Sequence, residues 1–258
     1  MDSAAGRIAV VDRLVAAGCV AAEEEAAELV AGAADEPTLE AWLRRREQGE
    51  PLAWITGWVD FCGRTLHVAP GVYVPRSQSE ELARRGAALL PDNGRALDLC
   101  TGAGAVAAHL IAQVPTAAVV GVDVDVRAAA CARRNAVPSV VGDLAEPVHG
   151  QEEFDVVTAV APYVPTGELR LLPADVQRYE PRAALDGGTD GLDLVRRVIA
   201  AAGRVLRPGG WLLLEVGGDQ DEALVPTLAA AGFDVATPWS DEDGDLRGIA
   251  SQATGWRA

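Results

Sequence analysis

From Leu82 onward the chain alternates short apolar runs with stretches of helical spacing, and this alternation limits its fold more than any other feature. "RALDLC" leads through a glycine-rich turn into helical "AVAAHLIAQV". "AAVVGVDV" precedes helical "VRAAACARRNA", and the runs "SVVGDL" and "FDVVTAV" follow. Beyond an irregular stretch come helical "DLVRRVIAAAGRVL", a turn at "RPGG", the strand "WLLLEVG" and helical "DEALVPTLAAAG". "FDVATPW" and "RGIASQA" read as the last strands. Such alternation predicts an α/β fold, a mostly parallel sheet with helices on both faces.

The N-terminal part differs. Residues 4 to about 48 place Ile8, Val11, Leu14 and Val15, then Ala26, Leu29 and Val30, at helical spacing, with breaks at Gly18 and "GAADEPTLE". Thr38 is the expected cap of a helix running through Trp42. A bundle this small is marginal alone and is expected to pack on something larger. Between Glu50 and Tyr73, "WITGWVDFCG" and "RTLHVAPGVYV" read as a β-hairpin joining two domains. The expected division is a helical domain over 1–48, a β-hairpin linker over 49–80 and a larger domain over 81–258. Trp54, Trp58 and Phe61 in the linker are expected in packing between domains more than in a cleft.

Formal charge is −16, and all the positive charge is arginine, with no lysine. An acidic surface disfavours a nucleic-acid partner, since binding a phosphate backbone rests on basic residues releasing its counterions. Arg44, Arg45 and Arg46 are the one run that suggests a basic patch, against the plainer reading of a solvated helix end. The first residues carry Asp2, Arg7, Asp12 and Arg13 among apolar ones, unlike a signal peptide. No apolar run reaches the roughly 18 residues of a membrane span. The expected location is the cytoplasm, with no membrane partner. Cys19, Cys62, Cys100 and Cys131 are far apart and show no metal or disulfide spacing, so they read as small buried residues. His67, His109 and His149 are scattered, and no metal is expected.

Chemistry concentrates at the strand ends. In "LDLCTGAGAVA", Gly102 and Gly104 permit a tight turn and close approach of a ligand, a pattern also found in dinucleotide sites. Asp98 opposes a dinucleotide, because a carboxylate there repels a pyrophosphate and suits a cationic group such as the ammonium of S-adenosyl-L-methionine. Asp123 ends the next strand, where an acid can accept hydrogen bonds from ribose hydroxyls. Asp143 in "VGDL" follows the third strand, within reach of an adenine amino group. Three acids at successive strand ends face one crevice.

These motifs, with "VVGVDVDVRAAACARRNA", resemble those of class I S-adenosylmethionine-dependent methyltransferases. "EPLAWITGWVDFCGRTLHVAPGVYVPRSQSEEL" and "YEPRAALDGGTDGLDLVRRVIAAAGRVLRPGGWLLLEVGGDQ" are similar to one family within that class, the protein-(glutamine) N-methyltransferases that modify peptide-chain release factors and, in a sister branch, a ribosomal protein. The resemblance runs from about Glu50 to Gln220. It implies a Rossmann-like sheet of seven strands, an N-terminal substrate-docking domain and S-adenosyl-L-methionine as cofactor. It assigns Asp98, Gly102 and Gly104 to the methionine and ribose parts of the cofactor, Asp123 to the ribose and Asp143 to the adenine. Cys100, Thr101, Val124, Leu144 and Val160 complete the implied cofactor contacts. "VPRSQSE" resembles the family's "IPRPETE": Arg76 and Glu80 match, whereas Ser77 and Gln78 depart from it. Glu180 and Arg182 in "EPR" read as residues with a structural ion-pair role, and Glu215 as a candidate to border the site.

One corner departs from the family. Where its fourth strand ends in Asn-Pro-Pro-Tyr, this chain has Val160, Ala161, Pro162 and Tyr163, the implied catalytic residues. In the family, the Asn side-chain oxygen and the next carbonyl hold the glutamine NH2 against the methyl group. Valine accepts no hydrogen bond. An amide N–H left unpaired there costs about 1–3 kcal/mol, or roughly tenfold to a few hundredfold in rate. Three readings stay open: methylation of another amine, in a protein or small molecule; glutamine methylation with a different polar group replacing the Asn; and a cofactor-binding interaction protein with little catalysis. An oxidoreductase is opposed by Asp98.

Overall fold

The computed structural model describes residues 4–148 and 154–254; His149 lies outside them. Helices α1 (Ala4–Ala16), α2 (Ala22–Gly32) and α3 (Glu36–Glu47) open the chain. Helices this short do not persist alone in water. They are held by a shared core in which Val10, Leu14, Ala26, Leu29 and Leu43 bury with Ile55 from the following segment. Asp35, rather than Thr38, caps α3, its side chain accepting the Thr38 N–H at 2.8 Å. Pro37, in the first turn, has no N–H to leave unpaired, which places the start of the helix ahead of Thr38. The arginine run carries no free patch: Arg44 pairs with Glu40, Arg45 with Glu50 and Arg46 with Glu25.

The segment after α3 holds both a helix and a hairpin. "LAWIT" is helix α4 (Leu52–Thr56), begun at Pro51 and stopped by Gly57 at φ 87°, so the hairpin is shorter than the β-like run suggested. It consists of β1 (Trp58–Phe61) and β2 (Arg64–His67), joined by Cys62 and Gly63, both at positive φ. Trp54 and Phe61 are buried; the Trp54 indole N–H reaches the Val72 carbonyl at 3.0 Å and its ring meets Tyr179 edge-on.

After α5 (Glu80–Leu89) the alternation proceeds as β3 (Arg95–Leu99), α6 (Ala105–Gln113), β4 (Ala118–Asp123), α7 (Val126–Arg134), β5 (Ser139–Val141) and β6 (Phe154–Ala159). Next come α8 (Ala174–Tyr179), α9 (Asp193–Val205), β7 (Leu206–Glu215), α10 (Gln220–Ala230), β8 (Thr237–Ser240) and β9 (Leu246–Gln252). The sheet has seven strands in the order β5-β4-β3-β6-β7-β9-β8, and only β9 runs antiparallel to its neighbours β7 and β8. Both faces are covered, which explains the unbroken apolar runs. Leu97, Leu99, Val157 and Leu212 pack toward α9 and α10; Ala96, Val156 and Leu213 pack toward α5 and α6.

Two sequence readings shift. "RPGG" is a bulge inside β7 and not a turn before it: Phe154 pairs with Leu206 but Val156 with Trp211, and Gly209 at φ 78° absorbs the excess. Of "FDVATPW", only Thr237–Ser240 extends as a strand, with Phe233 holding a single bridge to Ala253.

Gly121 in β4 shows how tightly the strand-end loop sits on the sheet. A Cβ at this position would lie 2.6 Å from Thr101 Oγ1 and 3.0 Å from Thr101 Cβ. Gly121→Ala is expected to lower stability by about 1–3 kcal/mol, read from the urea midpoint; an unchanged midpoint would show that the loop is loosely seated.

Candidate functional site

The switch point of the sheet lies between β3 and β6, where successive strands go to opposite sides and a crevice opens beyond their C-terminal ends. Register decides what stands there. Leu99 pairs with Ala159, and Ala159 with Leu214. Cys100, Val160 and Glu215 therefore leave the sheet side by side.

Asp98 anchors the loop. It is buried at 2% exposure. Thr101 Oγ1 donates to one carboxylate oxygen at 2.6 Å and Thr158 Oγ1 to the other at 2.7 Å. Burial pushes its carboxyl up to about 6, with the two hydroxyls opposing that rise. A carboxylate offers about four acceptor positions, so it retains capacity for a further donor.

Asp123 holds the same loop from the neighbouring strand, accepting the Gly102 N–H at 2.8 Å and the Asp125 N–H at 2.9 Å. Its carboxyl is raised by burial. Asp143 stands further out, half-exposed and paired with Arg197 at 2.6 Å. The three acids nonetheless converge on Cys100: burial raises that thiol, and the fields of Asp123, Asp98 and Asp143 raise it further.

The loop backbone is strained where the ligand contacts were expected. Cys100 (φ 55°) and Leu144 (φ 50°) occupy the left-handed region without being glycine, at a cost of roughly 1–2 kcal/mol each, and such strain concentrates at functional sites. The two glycines differ in role. A Cβ on Gly102 would meet nothing nearer than the Cys100 carbonyl at 4.0 Å, whereas one on Gly104 would lie 3.0 Å from Ala132 and Val137. Gly102 thus opens space above the loop, and Gly104 lets α6 pack against α7. Val124, beside Asp123, is 75% exposed.

Val160, Ala161, Pro162 and Tyr163 form one wall of a cavity of about 640 Å³. The facing wall is the turn between α1 and α2, including Cys19 and Val20, with Arg46 of α3. The acid trio lies outside this cavity, at the adjacent strand tips. Around the corner the sequence left Gln78 and Glu215 unassigned or undecided, and the structure brings both to Tyr163. The Tyr163 hydroxyl donates to Glu215 Oε1 at 3.0 Å, and Gln78 Nε2 reaches the Tyr163 hydroxyl at 3.0 Å. Glu215 is 2% exposed and its carboxyl is raised by burial. Arg76 pairs with buried Glu180, joining "VPRSQSE" to "YEPR" across 104 residues, while Arg182 turns instead to Asp186. Glu80 accepts the Cys62 N–H at 2.8 Å and pins the hairpin turn. His109 is buried on α6 and His67 lies in the hairpin; neither lines the cavity. Of the four cysteines only Cys131 is fully buried.

A family model for a methyltransferase domain matches residues 96–179, from β3 through the Val160–Tyr163 corner. A release factor glutamine methyltransferase of Geobacter sulfurreducens is 41% identical over 197 residues, covering 74% of this chain and 69% of the relative. The chain belongs to the release factor glutamine methyltransferase family. Another member, from Koribacter versatilis, is 32% identical over 83% of this chain and 77% of its own length. The fold recurs in the ribosomal protein L11 methylase of Lactobacillus delbrueckii subsp. bulgaricus, with TM-score 0.52 and 17% identity over 72% of this chain and 84% of that one. Together with the sheet order, these matches make the fold that of a class I methyltransferase. No described helix is long and apolar enough to cross a membrane.

The Asp98 network makes a signed prediction. The folded-state carboxyl is raised above its unfolded value, so stability present at low pH is lost as pH rises through about 6. Thr158→Val removes a donor to the ionised form and deepens that loss. It should cost about 1.5–3 kcal/mol near pH 7.5 in urea unfolding and less near pH 5; a pH-independent cost would contradict the assignment.

Proposed function

We propose that this protein methylates the side-chain amide of a glutamine in a release-factor-like protein. Family membership makes it a methyltransferase that uses S-adenosyl-L-methionine. The choice of acceptor rests on one observation: the Val160–Tyr163 corner faces the N-terminal helices across a single cavity. A site with one wall from the sheet and one from a separate helical core suits a loop of a protein partner. Residues 1–48 would dock that partner, 49–80 would fix the gap, and 81–258 would carry the methyl donor.

The residues at the strand tips fit a cationic donor. Asp98, Asp123 and Asp143 supply negative charge with one surface arginine among them, and Gly102 leaves space above the loop. Asp98, Thr101, Gly102 and Gly104 would form the floor beneath the methionine and ribose, Asp123 would accept from the ribose, and Asp143, Val124 and Leu144 would flank the adenine. Cys100 and Val160, adjacent by register, would lie between cofactor and acceptor. When bound, S-adenosyl-L-methionine supplies a methyl group on a sulfonium sulfur that leaves as a neutral thioether, so the amide nitrogen exchanges one proton for that methyl.

An amide nitrogen is a weak nucleophile because its lone pair is delocalised into the carbonyl. The chain's contribution is alignment, and its value depends on close geometry. Among the described residues no hydrogen bond is recorded to the Ala161 carbonyl, so that oxygen is available to an incoming NH2 group. Tyr163, fixed by Glu215, packs beside it.

Incubation with labelled S-adenosyl-L-methionine and a release-factor fragment tests the reading. Mass mapping should place one methyl on a glutamine side chain; labelling confined to another residue, or none despite cofactor binding, would refute it. Asp123→Ala should weaken cofactor binding about tenfold or more by calorimetry, through loss of the ribose acceptor and of the Gly102 tether. Unaltered affinity would remove Asp123 from the site.

A further inference from the structure

Val160 leaves the acceptor pocket without the side-chain oxygen that an amide N–H needs, and the surrounding residues contain a replacement. Gln78 is exposed on the 3₁₀ turn Ser77–Ser79 and lines the same cavity as Val160 and Tyr163. Its Nε2 lies 3.0 Å from the Tyr163 hydroxyl and 3.4 Å from Glu215 Oε1.

Hydrogen-bond chemistry sets which way this amide points. The Tyr163 hydroxyl gives its one proton to Glu215 Oε1 at 3.0 Å. The phenol oxygen is left to accept, and Gln78 turns its NH2 group toward it and toward Glu215 Oε1. Its carbonyl Oε1 faces the opposite way, and no donor to that oxygen is recorded among the described residues.

We propose that Gln78 Oε1 accepts a hydrogen bond from the substrate's amide N–H, in the place left empty by Val160. The Tyr163–Glu215 pair fixes its orientation, and the Ala161 carbonyl takes the second N–H. An amide at 78 and a valine at 160 form a matched pair: the acceptor reaches the pocket from the linker instead of from the strand end. This inference rests on the glutamine-amide reading above.

The test compares wild type, Gln78→Met, Val160→Asn and the double variant on a glutamine-bearing release-factor fragment, with cofactor affinity measured in parallel. Methionine keeps the length of the side chain and removes both polar ends. Gln78→Met should lower kcat roughly tenfold to a few hundredfold with cofactor affinity unchanged. Adding Val160→Asn should restore at least tenfold of that loss. Full kcat in Gln78→Met, or no rescue by Val160→Asn, overturns the inference while the glutamine reading stands. If wild type binds the cofactor yet leaves glutamine unmodified, the glutamine reading fails and this inference with it.

Discussion

A carboxylate buried beneath the first strand-end loop is the constraint on which this site depends. Asp98 is closed off from water and met by two threonine hydroxyls, one from its own loop and one from β6. Burial of an ion is costly unless donors surround it, so the fold keeps Thr101 and Thr158 in place as long as Asp98 is charged. Thr101 in turn rests on Gly121, where a side chain larger than hydrogen would collide. The loop, the strand below it and the strand beside it are locked as one unit. Gly102 is thereby held with open space above it and its N–H on Asp123.

The cavity wall is built by a different means. The register of β6 against β3 and β7 delivers Cys100, Val160 and Glu215 to one edge. The segment before α5 then returns across that edge, tied down by Arg76 on Glu180 and by Gln78 on Tyr163. The N-terminal helices close the far wall while keeping their own core. The strand-tip loop and the cavity wall meet at Val160.

The parallel sheet was legible because strands buried on both faces give continuous apolar runs, and the glycine turn after β3 was legible because few residues tolerate its backbone angles. Local competition was harder to read. "WIT" has β-like composition, yet Pro51 and Gly57 bracket it as a helical turn. "RPGG" looks like a turn but is absorbed as a bulge because both of its flanks pair with β6. The strand-end placement of Asp98 and Asp123 was legible in the sequence. The Gln78–Tyr163–Glu215 contact was not, since its members are separated by 85 and 52 residues and meet only through the tertiary fold. The "YEPR" motif suggested an ion pair without naming its partner, which proved to be Arg76 for Glu180 and Asp186 for Arg182.

The central claim is that Asp98 is a buried anion poised for a cationic ligand. Its protonation is directly measurable by following the side-chain carboxyl carbon through a pH titration by NMR, with and without S-adenosyl-L-methionine. The account predicts a midpoint of about 6 in the free protein and a clear downward move once the sulfonium compound is bound, because nearby positive charge favours the ionised form. A midpoint that stays put on saturation with the ligand would contradict it.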